Sequence, residues 1–304
     1  MISSFTELQE RAAARGPARV AVVAADSGSA LEALDAAVCR GLAEPLLVGG
    51  TERARALIAE RGLSALERAT FVEADTPEQA ARAAAELAAN GEAAVLLKGS
   101  LRTDQLLRAV LDRGAGLRTG RLLSDVLLYE DTLSGERRLV GVTDGGINVR
   151  PDAAALRQIV VNAVGVFHAL GRARPRVALL SATEAVSEAV PSTLVARELA
   201  DAAAAGELGA CEVAGPLALD NALLLSAARA KGIEHPVAGR ADIMVAPGIE
   251  AGNLLGKAVK YFGGSITAHV VVGAKVPLLI ASRVESAEDK LNSIALGVLV
   301  HAAR

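Results

Sequence analysis

Residues 277–296 read PLLIASRVESAEDKLNSIAL. The apolar run from Pro277 to Ala281 has the length of a buried strand, and it stops abruptly at Ser282-Arg283. A helix opens at Ser286 and carries Asp289 in its first turn. The passage is thus a strand C-terminus feeding a helix N-terminus, the place where α/β proteins build sites for anionic ligands. A hydroxyl, a fixed positive charge and a carboxylate fall within one such junction.

Outward from this stretch the same alternation continues. Short runs rich in β-branched residues and leucine alternate with longer alanine-rich stretches. Strands are expected at Arg19–Ala25, Pro45–Val48, Ala94–Lys98, Leu122–Tyr129, Arg137–Thr143, Arg176–Ser181, Ala241–Val245, Ala268–Val272 and Pro277–Ala281. Helices are expected at Ser29–Leu42, Thr51–Arg61, Pro77–Asn90, Thr103–Asp112, Asp152–Leu170, Glu184–Ala204, Ala218–Lys231, Ala251–Tyr261 and Ser286–Ala302. Such an order predicts an α/β protein with a mainly parallel sheet covered on both faces. The turn-rich EDTLSGE between Leu122–Tyr129 and Arg137–Thr143 predicts a local hairpin. The break in pattern at GAGLRTG (114–120) is the place for a domain boundary.

Composition narrows the function. The chain has 304 residues, of which 52% are hydrophobic, enough for two domains or one large α/β unit with a large core. Aromatic residues make up only 2%, which argues against a base-stacking surface. The net charge of −3, with both signs interspersed, argues against a nucleic-acid-binding face. Cys39 and Cys211 belong to no CxxC motif, so neither a disulfide framework nor a zinc site is expected. The first residues, MISSFTELQERAAARG, are polar and helix-like. No apolar run reaches the ~18 residues of a membrane span. The expectation is a cytoplasmic protein without membrane partners.

Each candidate site has a plain structural alternative. Ser282 and Arg283 can present an oxyanion-stabilising hydroxyl and a bidentate phosphate clamp, or they can be a polar strand end with a surface ion pair. Ser286-Ala287-Glu288-Asp289 fits a capping box, so Asp289 can be a cap, a reactive carboxylate near Ser282, or both. Lys98-Gly99-Ser100, with Thr103 as a helix cap and Arg108 further along that helix, is either a second anion site or an ordinary βα loop. TDGGIN (143–148) is not a dinucleotide fingerprint and reads as a tight turn. In PGIEAGN (247–253), two glycines before Asn253 suit close approach by a ligand or by another backbone segment. The histidines His168, His235, His269 and His301 follow no metal-ligand spacing.

Taken together these junctions resemble the phosphate acetyl/butyryltransferase family. The resemblance runs through GLRTGRLLSDV (116–126), TDGGINVRPD (143–152), GPLALDNA (215–222), ADIMVAPGIEAGNLLGKAVKYF (241–262) and VVVGAKVPLLIASRVESAEDKLNSIAL (270–296). GPLALDNA, GIEAGNLL and the Ser282, Arg283, Asp289 spacing lean toward the butyryl branch. Val284 and Glu285 stand where the acetyl branch usually has Gly and then Cys.

The resemblance implies two α/β/α domains with a cleft between them, similar to isocitrate and isopropylmalate dehydrogenases. The first would comprise residues 1–120 plus 274–304, the C-terminal helix returning to it, and the second residues 121–273. It further implies a homodimer and the reaction acyl-CoA + phosphate ⇌ acyl phosphate + CoA, with no metal or redox cofactor and with CoA as a substrate. By the same resemblance Asp289 would take the thiol proton of CoA, Ser282 would bind the carbonyl oxygen as it becomes anionic, and Arg283 would hold the phosphoryl group. Arg108, Ser100, Thr103, Lys275 and Asn253 would bind substrate. Two rivals stand beside this reading: a metal- and NAD(P)-dependent dehydrogenase of similar fold, and a catalytically silent sensor of CoA or acyl phosphate.

Overall fold

A computed structural model describes residues 1–133, 135–282 and 284–304. The chain forms two compact α/β units, residues 6–121 with 268–304, and residues 1–5 with 122–267. Residues 1–5 join the second unit because the Ile2 amide donates to the Leu170 carbonyl at 3.0 Å and the Phe5 amide to Glu130 Oε1 at 2.8 Å. Residues 268–273 join the first because their strand pairs with the last strand of that unit.

The first unit opens with α1 (Phe5–Ala13), β1 (Ala18–Val23), α2 (Gly28–Cys39), β2 (Ala43–Gly49), α3 (Thr51–Arg61), β3 (Thr70–Glu73), α4 (Pro77–Ala89), β4 (Val95–Lys98) and α5 (Thr103–Leu111). The second unit follows with β5 (Ser124–Asp131), β6 (Arg138–Thr143), α6 (Ala153–Ala169), β7 (Arg176–Leu180), α7 (Pro191–Ala204), β8 (Glu212–Leu217), α8 (Leu219–Leu223), α9 (Leu225–Ala230), β9 (Ile243–Val245) and α10 (Ile249–Tyr261). The chain then returns with β10 (Thr267–Val272), β11 (Leu278–Leu279) and α11 (Ala287–Ala302).

In the first unit the strand order is β3-β2-β1-β4-β11-β10, parallel throughout except for the β10–β11 pair. Every residue of β4 and the last four of β1 are buried, so their sequences show no alternation and helices must cover both faces. Twelve consecutive residues of α11, Asp289–Val300, are buried. A helix enclosed on all sides belongs in the middle of a core, and α11 packs there against α2 and the strands β4 and β11. In the second unit the order is β5-β6-β9-β7-β8. The β5–β6 pair is antiparallel and the rest are parallel.

Several elements differ from the sequence expectation, each for a local reason. The helix expected from Glu184 begins only at Pro191, which occupies the first turn, where a missing N–H costs nothing. The single helix expected over Ala218–Lys231 is two short ones, broken at Leu224, whose backbone is extended. The strand expected over Pro277–Ala281 contracts to Leu278–Leu279. Strands β3 and β8 were not anticipated. β3 is four residues long with none buried, and β8 holds Gly215-Pro216, which suits an edge strand that pairs only with β7.

Candidate active site

The strands β1, β4 and β11 are neighbours and parallel, so their C-terminal ends share one edge of the first unit. The chain leaving β1 turns at once. Ala24 takes a positive φ of 57°, and the Asp26 amide returns to the Ala24 carbonyl at 2.9 Å. The chain leaving β4 lies directly on this turn. Gly99 N donates to Val23 O at 2.8 Å and Ser100 N to Ala24 O at 3.1 Å. A β-carbon on Gly99 would sit 2.1 Å from the Ala24 carbonyl oxygen and 2.6 Å from that of Val23, so only glycine fits. The Ser100 hydroxyl is thereby brought onto the Asp26 carboxylate, to which it hydrogen-bonds.

A cavity of about 340 Å³ opens at this edge, lined by Asp26, Ser27, Lys98, Gly99, Ser100, Ala281, Ser282 and Lys290. Ser27 precedes α2 at its N-cap position, so the cavity also meets the positive end of a twelve-residue helix. Lys98 and Lys290 are both buried, and Lys98 Nζ donates to Leu101 O at 3.3 Å. Two ammonium groups, three serines and a helix N-terminus, set against the single carboxylate of Asp26, favour an anion here.

Ala281, Ser282 and Lys290 form one wall. Ser282 is exposed and lines the cavity, while Arg283 lies outside the described residues. The Glu285 amide closes a turn onto the Ser282 carbonyl at 3.1 Å. Asp289 is 2% exposed and forms a full capping box with Ser286. One carboxylate oxygen, Oδ2, accepts from the Ser286 amide at 2.9 Å and from its hydroxyl at 2.5 Å, and the Asp289 amide donates to Ser286 Oγ at 3.1 Å. The structural reading of Asp289 as a cap is therefore correct whatever else the residue does. Below it, Ser293 Oγ donates to the Asp289 carbonyl at 2.8 Å and accepts from the His269 amide at 2.9 Å. His269 Nε2 lies 3.7 Å from Glu285 Oε1, and Glu285 Oε2 is buried without a hydrogen-bond partner.

The remaining candidates fall at varying distances from this edge. Thr103 is the first residue of α5 and half-buried, and the cap position belongs to Arg102, whose amide donates to Gln105 Oε1 at 2.8 Å. Arg108 is exposed, donates to Asp104 at 2.6 Å and does not line the cavity. Lys275 is exposed beyond β10, held by its amide on the Leu117 carbonyl at 2.9 Å.

Asn253 belongs to the second unit. Its Nδ2 donates to the Gly145 carbonyl at 3.0 Å, and a β-carbon on Gly252 would lie 2.4 Å from the Asp144 carbonyl oxygen. The two glycine-rich segments thus meet each other there, the backbone alternative of the two that the sequence left open. Burial pushes the Asp144 carboxyl above its ordinary value, and the neighbouring Asp125 adds to this. The amides of Gly146 and Ile147 oppose it.

Sequence reasoning missed Asp26, Ser27 and Lys290. The first two follow a predicted strand directly, and the rule that sites gather at strand C-termini could have marked them. Lys290 follows Asp289 and carries no signal beyond its place in the first turn of a buried helix. Among the described residues no group of three or more His, Cys, Asp or Glu side chains is placed to hold a metal ion. No helix among them is long and apolar enough to cross a membrane.

A family model described as phosphate acetyl/butaryl transferase matches residues 67–298. A phosphate acetyltransferase of Rhizobium meliloti is 40% identical, over 99% of this chain and 95% of its own. A probable phosphate butyryltransferase of Bacillus subtilis (strain 168) is also 40% identical, over 92% of each chain. The crystal structure of a branched-chain phosphotransacylase from Enterococcus faecalis V583 superposes with a TM-score of 0.79 at 29% identity, covering 93% of this chain and 99% of that one.

Proposed function

Since this chain belongs to the phosphate acetyl/butaryl transferase family, we propose that it is a phosphate acyltransferase interconverting acyl-CoA plus phosphate with acyl phosphate plus CoA. The observation that carries the reading to named residues is the anion cavity where Lys98, Ser100, Ser282 and Lys290 converge, beside the buried Asp289 cap.

In the direction of acyl-CoA synthesis, CoA and acyl phosphate bind together. A CoA thiol is mostly protonated at neutral pH, so a carboxylate positioned to take its proton speeds attack on the acyl carbon. Asp289 fills that role. Its geometry is set by Ser286, whose N–H and O–H both hold Oδ2. The carbonyl oxygen becomes anionic as the thiolate adds, and the Ser282 hydroxyl stabilises it there. Arg283 and the cavity ammoniums hold the phosphate that departs when the tetrahedral intermediate collapses. No covalent enzyme intermediate is needed, because proximity of the two bound substrates supplies much of the rate. Ser100 contacts the phosphate within the cavity, while Thr103, Arg108, Lys275 and Asn253 remain assigned to substrate binding outside it.

For the acyl group we propose a short chain, butyryl or a branched relative ahead of acetyl. Identity to named relatives does not separate the branches, since an acetyl and a butyryl relative are both 40% identical. The preference rests on Val284 and Glu285 and on the GPLALDNA and GIEAGNLL segments. One methylene shifts discrimination by only ~1–3 kcal/mol, so neighbouring chain lengths overlap. A cytoplasmic homodimer completes the proposal.

The test is thiol release from acetyl-, propionyl-, butyryl- and isobutyryl-CoA, with and without phosphate. Release that needs phosphate and is fastest with a four-carbon chain supports the proposal. Release independent of phosphate would make the protein a thioesterase.

A further inference from the structure

Lys290 lines the cavity and also touches the turn carrying Ser282 through its side chain. It sits on the fourth residue of α11, one position after Asp289, and is 2% exposed. Its ammonium reaches back past the start of its own helix. There it donates to the Glu285 carbonyl at 2.5 Å and to the Ser282 carbonyl at 3.3 Å. The Ser282 carbonyl also accepts from the Glu285 amide, so the turn over residues 282–285 is closed by one backbone bond and cross-tied by Lys290.

This is a costly position for a cation. Burial penalises the ammonium, and the positive end of the α11 dipole adds to the penalty. The Ser282 and Glu285 carbonyls are among the groups that offset that cost, and an anion in the adjoining cavity would offset more. A neutral aliphatic residue would fill the same space at lower cost, but it would leave the Ser282 turn without its cross-tie and the cavity with one positive group fewer.

We infer that Lys290 is a positioning residue of the acyl transfer, one that fixes the Ser282 turn against the helix carrying Asp289 and presents its ammonium to the phosphate bound in the cavity. The inference rests on the phosphate acyltransferase reading. It adds a residue that aligns the hydroxyl and the carboxylate on the same short segment, and it assigns the cavity beside Lys98 and Ser100 to a tetrahedral phosphate dianion. Nothing in the chemistry of the step changes. The thiol sulfur forms the new bond to the acyl carbon, the bond from that carbon to the phosphate oxygen breaks, and phosphate leaves with the electron pair.

The experiment compares wild type with Lys290→Met and Lys290→Arg in phosphate-dependent thiol release. Lys290→Met keeps the buried stem and removes the charge and both hydrogen bonds. Its KM for phosphate is expected to rise about 10- to 100-fold, the worth of one or two hydrogen bonds to a charged group. Its kcat is expected to fall, with KM for acyl-CoA little changed. Lys290→Arg is expected to recover most of the phosphate KM, because charge and donors are kept. A purely structural Lys290 would lower the melting temperature and leave both KM values alone, and that result overturns the inference.

A second measurement does not depend on Lys290→Met folding. The chain has six lysines, so a spectrum of wild-type protein labelled at the lysine ε-carbon is simple, and Lys290→Arg assigns the signal. Titration with inorganic phosphate should move the Lys290 signal saturably and leave that of exposed Lys231 in place. No movement at saturating phosphate would refute the assignment. If wild type shows no phosphate-dependent thiol release, the proposed function fails instead, and the two failures are distinguished.

Discussion

Replacing Asp289 by asparagine separates the cap from the base, because the structure assigns the two roles different costs. Asparagine keeps a carbonyl oxygen that can accept from the Ser286 amide, now 2.9 Å from Oδ2, and from the Ser286 hydroxyl at 2.5 Å. What the helix loses is the attraction between a full negative charge and its N-terminal dipole. That attraction is worth roughly 0.3–1 kcal/mol, and up to ~2 kcal/mol where partly buried. In a unit of this size, ~1 kcal/mol corresponds to a fall of about 2–4 °C in melting temperature. The transfer reaction, by contrast, loses its proposed general base, and such groups contribute about 10²- to 10⁴-fold. Ser286→Ala is the mirror control. It removes the side-chain cap, at ~0.5–2 kcal/mol, and leaves the Asp289 carboxylate in the helix. The assay pairs thermal melting with phosphate-dependent thiol release for both variants. Asp289→Asn should lose most turnover at nearly wild-type stability, and Ser286→Ala should lose comparable or greater stability while turnover stays within about tenfold, short of the loss expected for the base. If Asp289→Asn keeps its turnover, or if both variants lose turnover in proportion to stability, Asp289 is a cap alone and the mechanism is wrong.

Three other expectations are independent of the mechanism. Gly99→Ala places a methyl group 2.1 Å from the Ala24 carbonyl oxygen, so the ends of β1 and β4 must separate. A cost of ~1–3 kcal/mol follows, with loss of the Ser100–Asp26 contact and of activity, and an unchanged melting temperature would contradict the packing at the cavity floor. Glu184 is held down to about 2 by its hydrogen bond to Lys231, helped by Asn221. Its contribution to stability is present above the ordinary carboxylate value and fades as pH falls toward 2, and solvent screening keeps it small. In Lys231→Met the Glu184 carboxyl should titrate closer to its ordinary value in a carboxylate NMR titration, and no upward movement would show the ion pair to be ineffective. Of the two cysteines, Cys39 is exposed and Cys211 is buried, with its thiol pushed up by burial. A thiol reagent should therefore modify Cys39 rapidly in the native protein and Cys211 only on denaturation, whereas two fast-reacting thiols would place Cys211 wrongly.

The parallel core of the fold was legible because its strands are buried on both faces. Val95–Leu97 and Val20–Val23 read as unbroken apolar runs, and such runs need no partner to be recognised. Residues at the margins were harder. Thr70–Glu73 is short and unburied, and Glu212–Leu217 contains Gly215-Pro216, so neither carries a strand pattern. Helix starts were legible where a cap or proline marked them, as at Thr76 and Ser286. The start of α7 lies later than expected because Glu184–Val190 has helix-forming composition, whereas the helix itself opens on Pro191. For the site, Ser282, Ser100 and Lys98 could be singled out as strand-end residues, and the structure brings them to one cavity. Asp26 also follows a strand end, but its contact with Ser100 spans 74 residues, and Lys290 carries no such positional signal. Asp26 meets Ser100 only because Gly99 lets two strand ends touch, and Lys290 meets Ser282 only because a turn folds back over the helix start.

The central claim is that phosphate, and not water, receives the acyl group. The most direct measurement incubates the protein with butyryl-CoA and radiolabelled phosphate and counts labelled acyl phosphate against free thiol in the same sample. Equal amounts of the two are expected throughout the approach to equilibrium, with both vanishing when phosphate is omitted. Thiol released without a matching amount of acyl phosphate would contradict it.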